Sequence, residues 1–189
     1  MVPILGFVAY SGTGKTTLLL KIIPLLKAKG LRIGMIKHSH HRKFDIDHPG
    51  KDSYRLREAG AEQMLVASRQ RWALMVEQAD QDIKKDPELA ELLPNLKLDD
   101  IDLILVEGFK HERISKIELH RPVLNKPLLY PEDRDIIAIA SDHENLQDLY
   151  PGQIQCPLLN INNSHEISLF IASLLLNKES NKKSNKESN

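Results

Sequence analysis

The stretch Ala9-Tyr10-Ser11-Gly12-Thr13-Gly14-Lys15-Thr16 limits what this chain can fold into more than any other part of it. It follows a short apolar run, Ile4 to Tyr10, and opens a segment from Lys15 to Lys29 whose Leu18, Leu19, Ile22, Ile23, Leu25 and Leu26 share a broad helical stripe. Gly30 then ends the helix in the usual capping position. The stretch matches the pattern GxxxxGK[ST] except at its first position, where Ala9 replaces Gly. Strand, glycine-bearing loop and helix in that order turn backbone N–H groups inward and aim the positive end of the helix dipole at one point, which suits a phosphate. Ser11, Gly12, Thr13, Gly14, Lys15, Thr16 and Thr17 are therefore the phosphate-binding candidates. In that role Lys15 reaches the β and γ phosphates, and the Thr16 hydroxyl supplies one ligand of an octahedral Mg²⁺. A methyl group at Ala9 is small, and the two inner glycines are intact.

Leu31 to Lys37 reads as a second strand, so the chain begins with a strand, helix, strand unit. Further strands are expected at Glu62 to Ala67, Arg71 to Glu77, Ile101 to Val106, Ile114 to Leu119, Ile136 to Ala140 and Pro157 to Ile161. Helices are expected at Asp52 to Ala59, Pro87 to Leu93 and Ile167 to Leu176, while Met64 to Val66 and Trp72 to Val76 suit an antiparallel hairpin at the sheet edge. The expected fold is α/β: a three-layer P-loop NTPase with a mainly parallel sheet, flanked by helices and carrying a mixed or antiparallel edge. With 189 residues the chain is sized for one domain, 1–176. Residues 177–189 read NKESNKKSNKESN, which holds no apolar residue to bury and is expected to be a disordered polar tail.

Composition narrows the function classes. Lys+Arg and Asp+Glu are both 26, which leaves no electrostatic footprint for nucleic acid. No apolar run approaches the roughly 20 residues that span a bilayer, and the N-terminus lacks a secretory pattern, so a cytoplasmic protein is expected. Cys156 is the only cysteine, which rules out an internal disulfide and a thiolate-rich zinc site. It reads as a small buried apolar residue.

A phosphate loop of this kind needs a second acid for its metal, usually where a neighbouring apolar strand ends. Glu107 followed by Gly108 fits, the alternative being an ordinary acidic residue at a strand end. Lys37 to Lys51 is a polar stretch with His38, His40, His41, His48, Asp45 and Asp47, expected near the phosphate site. Three readings stay open for it: a nucleotide-responsive loop with Asp45 or Asp47 near the metal and Lys37 near phosphate, a His-based transition-metal site, or a solvated loop.

The strings GFVAYSGTGKTTLL, GMIKHSHHRKFDIDHPGKDSYRLREAGA and DLILVEGFKHERISKIELHR resemble the MobB family, the molybdopterin-guanine dinucleotide biosynthesis adapter proteins, over roughly two-thirds of the chain. The resemblance implies a SIMIBI-class fold, GTP binding with slow hydrolysis, a homodimer, and help to the MobA-type guanylyltransferase that joins GMP to molybdopterin. Contact with molybdopterin itself and with other cofactor-biosynthesis proteins is left open. The VEG string also resembles that of dethiobiotin synthetase, where the glutamate binds Mg²⁺ and a lysine after the second strand contacts phosphate. That supports Glu107 and Lys37.

The Asn-Lys-x-Asp string by which many GTPases read guanine is absent. Its nearest counterpart is Ala140-Ser141-Asp142, where the Asp142 carboxylate suits the guanine N1 and N2 groups or, equally, caps a helix over His143 to Leu149. No Arg or Gln stands out as a catalytic finger, with Arg113 the nearest candidate, so hydrolysis is expected to be slow. Two other classes remain beside an adapter GTPase: a small-molecule kinase or ATP-dependent ligase, and a metal-delivery GTPase. Trp72 is expected in the core or a dimer interface, and Phe109 over the site or in an interface.

Overall fold

The computed structural model describes residues 2–39, 46–77 and 86–184, the last eight by backbone alone. Length pointed to one domain; the chain divides into two compact units, one of Met1–His38 with Leu89–Asn189 and one of Ser39–Glu88.

The larger unit is built on a six-stranded sheet of β1 (Ile4–Val8), β2 (Ile33–Lys37), β5 (Leu103–Glu107), β6 (Lys116–His120), β7 (Ile136–Ser141) and β8 (Leu158–Asn160), in the order β2-β5-β1-β6-β7-β8. Every pairing in it is parallel. Such strands need apolar residues on both faces, and β5 is buried throughout. Helices α1 (Lys15–Ala28) and α5 (Ser164–Ser184) cover one face, where Leu18, Ile22, Leu26, Ile167 and Ile171 meet Leu5, Phe7, Leu105, Ile117 and Ala138. Burying each large side chain there contributes about 1.5–3 kcal/mol. The short helices α3 (Leu89–Leu92) and α4 (Leu146–Leu149) place Leu89 and Leu146 in the two clusters on the other face. Asn163 starts α5: its Oδ1 accepts the backbone N–H of Glu166 at 3.1 Å. The helix continues to Ser184, past Leu176 where the tail was expected to begin; residues 185–189 lie outside the described ones.

Strand β6 carries polar side chains on one face, each paired. Lys116 Nζ donates to Asp133 Oδ2 at 2.8 Å. Glu118 accepts the backbone N–H groups of Leu129 and Tyr130 at 2.9 and 2.8 Å. His120 Nε2 meets the Tyr150 hydroxyl at 3.0 Å. The connection after β6 is thus pinned to the sheet by hydrogen bonds. Cys156, half-buried, packs in the same cluster, and burial raises its thiol pKa.

The smaller unit contains α2 (Asp52–Glu58) and an antiparallel pair, β3 (Gln63–Ala67) with β4 (Trp72–Val76). The expected hairpin forms, as a sheet of its own rather than as an edge of the larger one. Strands joined by a short turn pair antiparallel with each other, whereas a parallel sheet takes its strands through crossover connections. Arg57 joins Glu77 at 2.8 Å and lies over the Tyr54 ring. Leu65, Val66, Trp72, Leu74 and Val76 are exposed on the pair.

Candidate functional site

The chain leaves β1 at Val8, and Gly12 and Gly14, at φ 81° and 99°, make the turn that a side chain would strain. Helix α1 then begins with no side-chain cap among the described residues. Its first N–H groups are left for an anion. Lys15 folds back so that Nζ donates to the carbonyls of Ala9 at 3.0 Å and Tyr10 at 3.4 Å. Burial lowers its pKa, Glu107 raises it and Lys37 lowers it further.

Parallel register sets Phe7 beside Glu107 and Glu107 beside Lys37 at the carboxyl ends of three adjacent strands. The Thr16 hydroxyl donates to Glu107 Oε1 at 3.3 Å, and Lys37 Nζ donates to Glu107 Oε2 at 3.1 Å and approaches Thr16 Oγ1 at 3.5 Å. Two neighbouring ligands of an octahedral Mg²⁺, each about 2.1 Å from the ion, stand roughly 3 Å apart. The Thr16 and Glu107 oxygens fit that spacing, and both are the hard donors Mg²⁺ prefers. Gly108 follows at φ 100°, and a Cβ there would lie 2.9 Å from His38 Cβ. His38 donates its N–H to Glu107 O at 2.9 Å, and its ring tilts against Phe109 at 5.3 Å. Phe109 is buried in the core with Ile36, Leu89, Ile104 and Val106, not a cover of the site.

On the other side of β1 stands a residue that sequence reasoning assigned no role. Arg121, directly after β6, donates from Nε to Thr13 O at 3.0 Å and from Nη1 to Asp142 Oδ2 at 2.6 Å. The only signal for it was a basic residue closing a strand; without the strand order, nothing tied that strand to the phosphate loop. Asp142 does not cap a helix, because α4 begins only at Leu146, behind Asn145. A depression of about 180 Å³ lies beside the loop, with Thr17, Lys21, Arg121 and Asn162 in its wall. A second, of about 200 Å³, includes Ser141 and Asp142.

Lys15, Thr16, Lys37 and Glu107 are thus brought together, and Ser11 to Gly14 and Thr17 frame them. Asp45, His40 and His41 lie outside the described residues. Asp47 belongs to the 39–88 unit, where its Oδ1 accepts from the His48 N–H and Ser53 Oγ at 3.0 and 3.1 Å. Among the described residues no group of three His, Cys, Asp or Glu is placed to hold a metal. Arg113 is not a finger: it pairs with Asp135 at 3.1 Å, at the amino ends of β6 and β7 and so at the edge opposite the phosphate loop.

Residues 4–142 match the family described as Molybdopterin guanine dinucleotide synthesis protein B. The chain is 49% identical over 172 residues to the molybdopterin-guanine dinucleotide biosynthesis adapter protein of Escherichia coli (strain K12), covering 90% of this chain and 92% of that one. It is 44% identical over 175 residues to the protein of the same description from Haemophilus influenzae, covering 92% and 90%. A crystal structure of molybdopterin-guanine biosynthesis protein B (mobB) superposes with a TM-score of 0.68 at 25% identity, over 91% of this chain and 98% of that one.

Proposed function

This chain belongs to the MobB family and is an adapter in molybdopterin guanine dinucleotide biosynthesis, and from that premise we propose that it binds GTP with Mg²⁺, hydrolyses it slowly and assists a MobA-type guanylyltransferase. The observation that carries the nucleotide reading is the convergence of Lys15, Thr16, Lys37 and Glu107 around one open loop. The backbone N–H groups of the loop and the first turn of α1 surround a β phosphate, and the Lys15 ammonium exchanges its carbonyl partners for phosphate oxygens. Thr16 and Glu107 would hold Mg²⁺, which would supply neutralising charge to the phosphates. Lys37, already beside Glu107, adds a positive charge at the γ end.

Slow turnover is supported by where two arginines stand among the described residues, Arg42 lying outside them. Arg121 is engaged with Thr13 and Asp142, and Arg113 stands at the far edge of the sheet. Neither is aimed at a γ phosphate, and such a group supplies much of the acceleration in fast GTPases. A protein that binds GTP and keeps it is suited to an adapter, because occupancy persists long enough for a partner to read it. Asp142 is the proposed guanine contact, its carboxylate accepting from N1 and N2, donors that adenine does not present together. The exposed apolar side chains of the β3–β4 pair are the proposed surface for a homodimer. Among the described residues no helix is long and apolar enough to cross a membrane.

Calorimetric titration of GTP and ATP, each with and without Mg²⁺, tests the reading. Mg²⁺-dependent binding that favours GTP, together with GTP-dependent capture of the purified guanylyltransferase, is the expected result. Preference for ATP would move a phosphoryl-transfer enzyme to the front.

A further inference from the structure

Arg121 joins three elements through one planar group. Its Nε donates to Thr13 O in the phosphate loop, its Nη1 to Asp142 at the end of β7, and its Nη2 makes a long contact of 3.5 Å with Asn162 Oδ1 after β8. The Asp142 bond continues the β6–β7 ladder by one cross-strand pair beyond His120 and Ser141, whereas the bonds to Thr13 and Asn162 reach loops outside the sheet. The side chain is partly open, with 28% of its surface exposed, and it borders the 180 Å³ depression together with Thr17 and Lys21. Thr17 and Lys21 are one turn apart on α1, so the depression runs along the helix from the phosphate loop.

The strand order fixes which end of a ligand lies here. Glu107 and Lys37 stand on the β5 side of β1, and Arg121 and Asp142 on the β6 side. A triphosphate with its terminal phosphate and metal at Thr16, Glu107 and Lys37 extends across the end of β1, and the group attached to its α phosphate arrives at Arg121. We infer that Arg121, Thr17, Lys21 and Asn162 form the subsite for a purine nucleoside, in which Arg121 determines specificity by holding the Asp142 carboxylate in register with the phosphate loop. This rests on the proposal that the loop takes a nucleoside triphosphate. A guanidinium plane with its edges committed offers its face to a purine ring. A carboxylate has about four acceptor positions, and the Arg121 contact uses one oxygen, leaving capacity for a base edge.

The test compares GTP, ATP and inorganic tripolyphosphate, each with Mg²⁺, by calorimetry on wild type, Arg121→Lys and Asn162→Ala. Lysine keeps the charge and loses the planar fork, so it cannot serve Thr13 and Asp142 together. The expected result is a loss of about tenfold or more in GTP affinity for Arg121→Lys and a few-fold loss for Asn162→Ala. Tripolyphosphate affinity should stay within about twofold, and the preference for GTP over ATP should shrink in Arg121→Lys. Asn162 is an exposed loop residue, so its variant keeps the test informative if Arg121→Lys unfolds, which a thermal melt reports. Equal losses for GTP and tripolyphosphate would reduce Arg121 to a support of the loop and overturn the subsite; so would unchanged GTP affinity in both variants. Wild type that binds none of the three would instead remove the nucleotide reading on which the subsite depends.

Discussion

Lys37 Nζ stands 3.1 Å from Glu107 Oε2, across two parallel strands that place the residues side by side. The Glu107 side chain is 10% exposed and that of Lys37 is 54% exposed, so the carboxylate is fixed in the protein while the ammonium reaches in from solvent. Glu107→Gln removes a hard anionic donor and leaves the shape nearly unchanged. GTP affinity measured with Mg²⁺ should fall by about tenfold or more, while affinity measured in EDTA should hold or rise. An equal fall in both titrations would remove Glu107 from the metal site.

Lys15→Ala should abolish binding of the triphosphate. Among the described residues the half-buried ammonium donates to two loop carbonyls, and its burial lowers its pKa, so it contributes little to the fold. Urea denaturation should move by about 0.5 kcal/mol or less. Retained GTP affinity in a folded Lys15→Ala protein would sink the phosphate-loop assignment.

Gly108→Ala places a Cβ at φ 100° and 2.9 Å from His38 Cβ. The strain costs about 1–3 kcal/mol and falls on the backbone that carries both Glu107 and His38. A lowered Tm together with weaker Mg²⁺ dependence of GTP binding is expected. A melt identical to wild type would show that the β5 end has room to adjust.

Glu118 is fully buried, and desolvation raises its pKa to about 7 although the Leu129 and Tyr130 N–H groups act in the opposite direction. The folded protein therefore holds this proton more tightly than the unfolded chain. The stability it contributes is present below about pH 4.5 and is lost as pH rises to about 7. The loss is on the order of 3 kcal/mol. His120 on the same strand has a pKa lowered by burial and acts in the opposite sense. Urea melts of wild type and Glu118→Gln between pH 5 and 8 isolate the glutamate: the difference between the two curves should narrow or reverse with rising pH, and parallel curves would show that Glu118 does not titrate there.

Leu74→Glu puts a charge on the exposed β4 strand of the smaller unit. Light scattering should report a shift from dimer toward monomer with the Tm of the larger unit retained. A wild-type protein that is monomeric at micromolar concentration would place the apolar hairpin outside any self-association.

Much of the architecture was legible in the sequence because it rests on local patterns. The stripe from Leu18 to Leu26 and the apolar run before the loop place α1 and β1 within two residues of their observed limits. Glu107 was legible for the same reason, as the first polar residue after an apolar strand. Arg121 was not: its partners Thr13, Asp142 and Asn162 are far from it in the chain, and only the order β1-β6-β7-β8 brings them together. The separate β3–β4 sheet was hidden too, since strand periodicity says that a hairpin forms and not which sheet it joins. The helix beyond Leu176 ran against composition, whose polar residues gave no core-facing stripe to extend it.

The all-parallel sheet sets the order in which a ribosome can complete this protein. Strand β1 pairs with β5 through Ile4 and Ile104, and with β6 through Gly6 and Lys116. The first strand made thus has no neighbour in its sheet until about half the chain has left the exit tunnel. Meanwhile the β3–β4 hairpin, whose partners are close in sequence, is free to close. The waiting apolar segments are exposed during translation, when a chaperone or a slowed elongation rate has most to offer.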